Sequence, residues 1–175
     1  MMKKEYDFSK GVRGKFYNEM VDTNETQELF SQWNQQKINT HFSQKIIGIK
    51  ERDIVFVRMG QNIGYEQDGK GDEFLRPVVI FKKFNKNMFL GLSLTTKQKE
   101  NKFHFEFSYT NKNGLKITNS AIISQLKIFD TKRAKYKAGM ISKSDFQELY
   151  EKMMEVLKPE DVTPAKKQES PEGIQ

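Results

Sequence analysis

The chain contains no cysteine, which removes disulfide scaffolds, thiolate metal sites and thiol nucleophiles together. That absence fits a reducing intracellular compartment, and a cytoplasmic location is the expectation. Histidine is nearly as scarce, with His41 and His104 the whole supply. No apolar run approaches the ~20 residues of a membrane-spanning helix. Lys3, Lys4, Glu5 and Asp7 are followed by no apolar stretch, so no signal peptide is expected.

What the chain does have is length for one domain plus appendages, 175 residues, and a net charge of +7. Such a charge favours a polyanionic partner, nucleic acid or an acidic protein. The plainer alternative is a lysine-rich surface that keeps the protein dispersed.

Hydropathy patterning divides the chain. Residues 1–22 are polar, without a helical or strand period, and are read as a flexible tract. Residues 23–50 hold a helix from about Thr26 to Lys37, capped by Asn24, and a linker. Leu29, Phe30 and Trp33 share one face of that helix, and Trp33 is read as the anchor docking it on the sheet, not as a base-stacking residue. From Asp53 the pattern becomes strand-like: Ile54–Val57, Pro77–Phe81, Met88–Leu94 and the alternating run Phe103–Tyr109. Pro77 is acceptable only at a strand start or an edge. Asn113-Gly114 marks a hairpin turn, and Ala121–Ile123 and Leu126–Phe129 supply further strand with a bend between them. Ser142 caps a closing helix whose Phe146, Leu149, Tyr150, Met153 and Leu157 form a packing stripe. Residues 158–175 are polar enough to be disordered. The expected fold is mainly β with helices (α+β), a strongly bent sheet or small barrel flanked by an N-terminal and a C-terminal helix.

Chemistry concentrates between Gly60 and Lys97. Cleavage of RNA by its own 2′-hydroxyl needs a proton acceptor, a donor to the 5′-oxygen and stabilisation of charge on phosphorus. Two histidines so placed, one in the linker and one on a regular strand, do not favour a two-histidine mechanism. Arg76 offers a fixed fork of donors for phosphate oxygens and is a poor proton carrier, so its role is charge stabilisation. Glu66 is the candidate proton acceptor, and Thr95 and Thr96 are candidates to donate to phosphate oxygens or orient the attacking group. On residue chemistry alone, Arg-Pro at a strand start and Thr-Thr at a strand end are equally compatible with ordinary surface structure.

Five ordered segments add to this: Gly64-Tyr65-Glu66-Gln67, Arg76-Pro77-Val78-Val79, Leu94-Thr95-Thr96-Lys97, Ser120 through Gln125-Leu126-Lys127, and the closing helix. With the strand before them, they make residues 51–157 resemble the MazF/PemK mRNA-interferase toxins. The resemblance implies an SH3-like barrel of the plasmid-maintenance toxin type and a homodimer with single-stranded RNA along its groove. It implies cleavage without metal or cofactor to 2′,3′-cyclic phosphate and 5′-hydroxyl ends, and a cognate antitoxin that fills the groove. Arg76, Thr95 and Glu66 take the catalytic positions, with Asn62, Gln67, Lys70, Thr96, Lys97 and Gln125 as the expected RNA contacts. The loop containing Asp68 to Phe74 is longer than in the shortest relatives, so the cleaved sequence does not transfer. Lys97, Lys99 and Lys102 suit either phosphate binding or protection of a strand edge.

The tract Lys4–Tyr17 resembles a segment near the ends of some small antitoxins. It is read as a remnant without a role; the alternative is tethered self-restraint, with Tyr6, Phe8 and Phe16 docked in the groove. Two other functions compete with the nuclease: a protein-binding toxin of the gyrase-poison kind, and a non-catalytic basic RNA-binding module. Neither requires Glu66, Arg76 and Thr95 together.

Overall fold

The computed structural model describes residues 23–159. The N-terminal tract and nearly all of the C-terminal tail therefore lie outside the described residues. Helix α1 spans Thr23–Phe42, β1 Asp53–Arg58, β2 Leu75–Lys83, β3 Met88–Thr95, β4 His104–Thr110, β5 Lys116–Asp130, β6 Ala134–Met140 and α2 Lys143–Leu157. The strands form one antiparallel sheet in the order β4-β5-β3-β2-β1-β6.

The sheet curls without closing. Its outer strands β4 and β6 are not hydrogen-bonded to each other, yet they approach so closely that a Cβ on Gly139 would lie 2.4 Å from the Tyr109 ring. Strand pairing is irregular at several places, between β1 and β6, between β2 and β3, and along β5, which changes alignment along its length. Leu92 of β3 faces Leu126, but Leu94 faces Ala121, so the residues between are pushed out of the ladder. The bend expected between Ala121–Ile123 and Leu126–Phe129 is this irregularity inside one strand.

Two cores result. On one face Ile54, Val79, Leu92, Leu94, Phe107 and Ile123 pack against Leu149 and Met153 of α2. Phe81 meets Phe146 at 5.6 Å and stacks on Tyr150 at 5.9 Å, which seats the helical stripe. On the other face Val55, Val57, Val78, Ile80, Phe89 and Phe129 pack with Ile49 of the linker.

Pro77 is the third residue of β2, an interior strand, which differs from the expected strand start. It is tolerated because pairing with β3 begins only at Val78, leaving Pro77 a partner, Phe56, on the β1 side alone. Helix α1 is longer at both ends than expected, and Asn24 lies inside it instead of capping it. The Asn113-Gly114 hairpin exists as a wider loop, in which the Asn111 side chain accepts from the backbone N–H of Asn113 and Leu115 at 2.9 and 3.0 Å. At the start of α2, Ser142 Oγ accepts from the Asp145 N–H at 2.9 Å. Ser142→Ala should cost about 1 kcal/mol in chemical unfolding, since it frees one helix-end donor.

Candidate active site

The segment from Gly60 to Phe74 is an ordered scaffold, and it holds Arg76 in place. Its floor is Trp33 of α1, which is 5% exposed and lies 5.5 Å from the Phe74 ring. Gly60, at φ +99°, passes over that indole so closely that a Cβ would fall 2.2 Å from the ring. At Gly69 a Cβ would collide with the Phe74 carbonyl at 1.9 Å, and the Gly69 N–H donates to Gly60 O at 2.7 Å. The Phe74 carbonyl accepts from Met59 N at 2.8 Å, which ties the far end of the loop to the end of β1.

Asp68 organises the interior of this loop. Its carboxylate accepts from the Asn62 N–H at 2.6 Å and from the Gln61 amide at 3.4 Å. Its backbone carbonyl accepts from Nε of Arg76. A second guanidinium nitrogen, Nη1, donates to Leu94 O at 3.4 Å. Val78 faces Ser93 at the end of the β2–β3 ladder, so Arg76 lies just beyond the paired residues, with its Nη1 reaching the residue that precedes Thr95. Arg76 Nη2 makes no hydrogen bond among the described residues, so one edge of the fork is uncommitted. Burial lowers the Arg76 pKa and the Asp68 charge partly offsets this. A half-desolvated cation of this kind gains from an anion brought beside it.

Thr95 ends β3, half-buried, with its Oγ1 accepting from the Lys97 N–H at 3.1 Å. Thr96 and Lys97 are exposed just beyond it. Glu66 is exposed at the tip of the loop, its carboxylate 3.9 Å from Lys127 Nζ. Asn62 and Gln67 are bound to each other, the Asn62 amide donating to Gln67 O at 2.8 Å. Gln125, in the displaced part of β5, accepts from Gln67 N at 3.2 Å and donates to Tyr65 O at 3.1 Å, so it clamps the segment carrying Glu66. Lys70 is exposed at a two-residue bridge with Leu75. The fold thus brings the Arg76 guanidinium to the Leu94 carbonyl, one residue before Thr95, and places Glu66 on the neighbouring loop with no hydrogen bond or ion pair to either. Lys97, Lys99 and Lys102 lie in the β3–β4 connection, not along an edge strand.

Three groups escaped sequence reasoning. Asp68 has no local signature, because a carboxylate among glycines reads as a solvated turn. Ser120 and Glu106 are placed by register: Thr95 faces Ser120 of β5, and Ser120 faces Glu106 of β4. Alternation along Phe103–Tyr109 put Glu106 on the face away from the aromatics, but the partner that brings it to Thr95 required the ladder. His104, on that same face, is half-buried with Nδ1 2.7 Å from Asn101 Oδ1. Among the described residues, no three His, Asp or Glu side chains converge as metal ligands, and no helix is long and apolar enough to cross a membrane.

Residues 50–157 match the family model described as the PemK-like, MazF-like toxin of type II toxin-antitoxin system. No curated protein matches the chain. Among solved structures, MazF (Form-I) from Deinococcus radiodurans is 13% identical with a TM-score of 0.50, over 63% of this chain and 97% of that one. MazE-MazF (Form-II) from the same organism gives 15% and 0.46, over 63% and 97%. The Mycobacterium tuberculosis toxin MazF-mt6 gives 14% and 0.45, over 59% and 94%. At 13% identity the likeness to the first is one of fold alone.

Proposed function

The chain belongs to the PemK-like, MazF-like toxin family of type II toxin-antitoxin systems, and on that premise we propose that it is a sequence-selective endoribonuclease toxin. It acts in the cytoplasm as a homodimer on single-stranded RNA, without a metal, and is neutralised by a cognate antitoxin. The observation that carries this reading is the Arg76 guanidinium beside the Leu94 carbonyl, one residue before Thr95, with one edge of its fork free.

A scissile phosphate seated against that free edge places its non-bridging oxygens where charge builds in the transition state. The 2′-oxygen attacks phosphorus and gives its proton to an acceptor, for which Glu66 is the candidate. The bond to the 5′-oxygen breaks, and that oxygen leaves as a hydroxyl after taking a proton. The products are a 2′,3′-cyclic phosphate and a 5′-hydroxyl. Thr95, fixed at the end of β3, directs its hydroxyl hydrogen toward a phosphate oxygen while its lone pair holds the Lys97 N–H.

Incubating the full chain with a long RNA in excess EDTA and analysing the product ends tests this. Cleavage that persists in EDTA and leaves 5′-hydroxyl ends is expected. Binding without cleavage would transfer the assignment to a non-catalytic RNA-binding module, and cleavage that needs a divalent ion would remove the metal-free chemistry.

A further inference from the structure

A second polar cleft opens at the β4 edge of the sheet. Its volume is about 450 Å³, and its walls come from the β3–β4 connection, β4, β5 and α2. Lys99, Glu100, His104, Glu106, Ser120 and Lys152 supply its chemistry. It is joined to the candidate active site through one ladder, Thr95 to Ser120 to Glu106, so the two lie two strands apart.

The side chains here are uncommitted. Ser120 is 2% exposed; its hydroxyl makes no hydrogen bond among the described residues but is not one of their fully buried unpaired atoms, so it still meets the cleft. Glu106, Lys99 and Lys152 likewise form no ion pair or hydrogen bond there. The His104 pKa is lowered first by burial and then by the charges of Lys99 and Lys152, which line the same cleft. Charged side chains of both signs, without protein partners among the described residues and lining one cleft, can pair with a ligand that carries both a phosphate and N–H donors.

We propose that this cleft is a nucleotide subsite flanking the scissile phosphate, in which Lys99 and Lys152 hold one backbone phosphate and Glu106 with Ser120 reads a guanine. This rests on the nuclease reading for the identity of the strand, and it adds where a neighbouring nucleotide sits and which base it carries. A carboxylate accepts two parallel N–H bonds from the amino and imino groups of guanine. Uracil offers one N–H between two carbonyl oxygens, which repel a carboxylate. Adenine and cytosine each set a ring-nitrogen lone pair beside their amino group. The Ser120 hydroxyl, buried next to Thr95, turns to whichever edge atom the carboxylate leaves open. Strand separations of ~4.8 Å per step put Glu106 about 10 Å from Thr95, a distance compatible with the adjacent nucleotide rather than the reacting one.

The test uses the full chain and fluorescent single-stranded RNA made non-cleavable by 2′-fluoro substitution, read by anisotropy. A guanine-containing oligomer should bind about tenfold tighter than its uracil counterpart, and Glu106→Gln should abolish that difference. The double variant Lys99→Ala/Lys152→Ala should weaken both oligomers alike and reduce the slope of log affinity against log salt by roughly 0.7, the value for one phosphate on a single strand. Equal affinity for the two oligomers in the parent, or an unchanged slope in the lysine variant, overturns the subsite even if the parent cleaves ordinary RNA. Guanine preference lost in Glu106→Gln by a chain that does not cleave would keep the subsite and discard the nuclease.

Discussion

Arg76→Ala is expected to lower the RNA cleavage rate by about 10²–10³-fold, the usual cost of removing one preorganised donor to a developing oxyanion. The effect should fall on kcat more than on KM, because the free edge of the guanidinium is matched to charge that grows during reaction. Stability should fall only modestly. The side chain gives hydrogen bonds to the carbonyls of Asp68 and Leu94, each contributing about 1 kcal/mol net, and water can reach the half-buried position once the side chain is gone. Arg76→Lys should rescue little. A single ammonium cannot satisfy two carbonyls at fixed angles and still present a planar edge to phosphate. Measuring single-turnover cleavage beside thermal unfolding separates the two effects. An alanine variant that cleaves within tenfold of the parent would remove Arg76 from the chemistry.

The relation between sequence and site is uneven for physical reasons. The placement of Arg76 and Thr95 at strand ends was legible because each borders an apolar run, while their proposed roles rest on the family resemblance. The hydrophobic faces of β1 to β4 and the stripe of α2 as far as Met153 follow from strand and helix periodicities, whereas Leu157, at the helix end, is 51% exposed. Helix α1 was underestimated because its later half, Ile38 to Phe42, projects apolar groups into solvent and carries no regular stripe; Ile38 and Phe42 are 51% and 73% exposed. The continuity of β5 was hidden by its own displaced residues, whose sequence looks like two short strands. The loop was the largest omission. Glycines and acidic residues usually signal a mobile turn, yet here Gly60 and Gly69 are glycines because an indole and a carbonyl occupy the space beside them. Those contacts join residues far apart in the chain, so no local pattern announces them.

The longest of these connections predicts the largest stability effect. Trp33→Ala should destabilise the protein by about 3–5 kcal/mol, the usual range for truncating a buried aromatic residue. The indole is nearly fully buried and touches three things at once: Phe74 at 5.5 Å, the Gly60 backbone, and the Arg133 guanidinium, centred 5.4 Å from the ring. Arg133 would lose that face while its Nη1 still donates to Arg58 O at 2.9 Å, leaving a largely buried cation with less to pack against. Phe74 holds a left-handed backbone at φ +52°, a conformation tolerated only where surrounding contacts enforce it. Removing the indole withdraws one of those contacts, and the loop can relax away from the geometry that presents the Asp68 carbonyl to Arg76. Cleavage should therefore fall at temperatures where the variant is still folded, and Trp33→Phe should restore part of both losses by refilling the space under Gly60. Thermal unfolding should show a drop of roughly 10 °C or more for the alanine variant. If unfolding and cleavage both stay near the parent, α1 is a passenger on the sheet and the loop is held by Asp68 and Gln125 alone. If stability falls but the surviving folded fraction cleaves at the parental rate, the helix supports the fold without positioning the arginine.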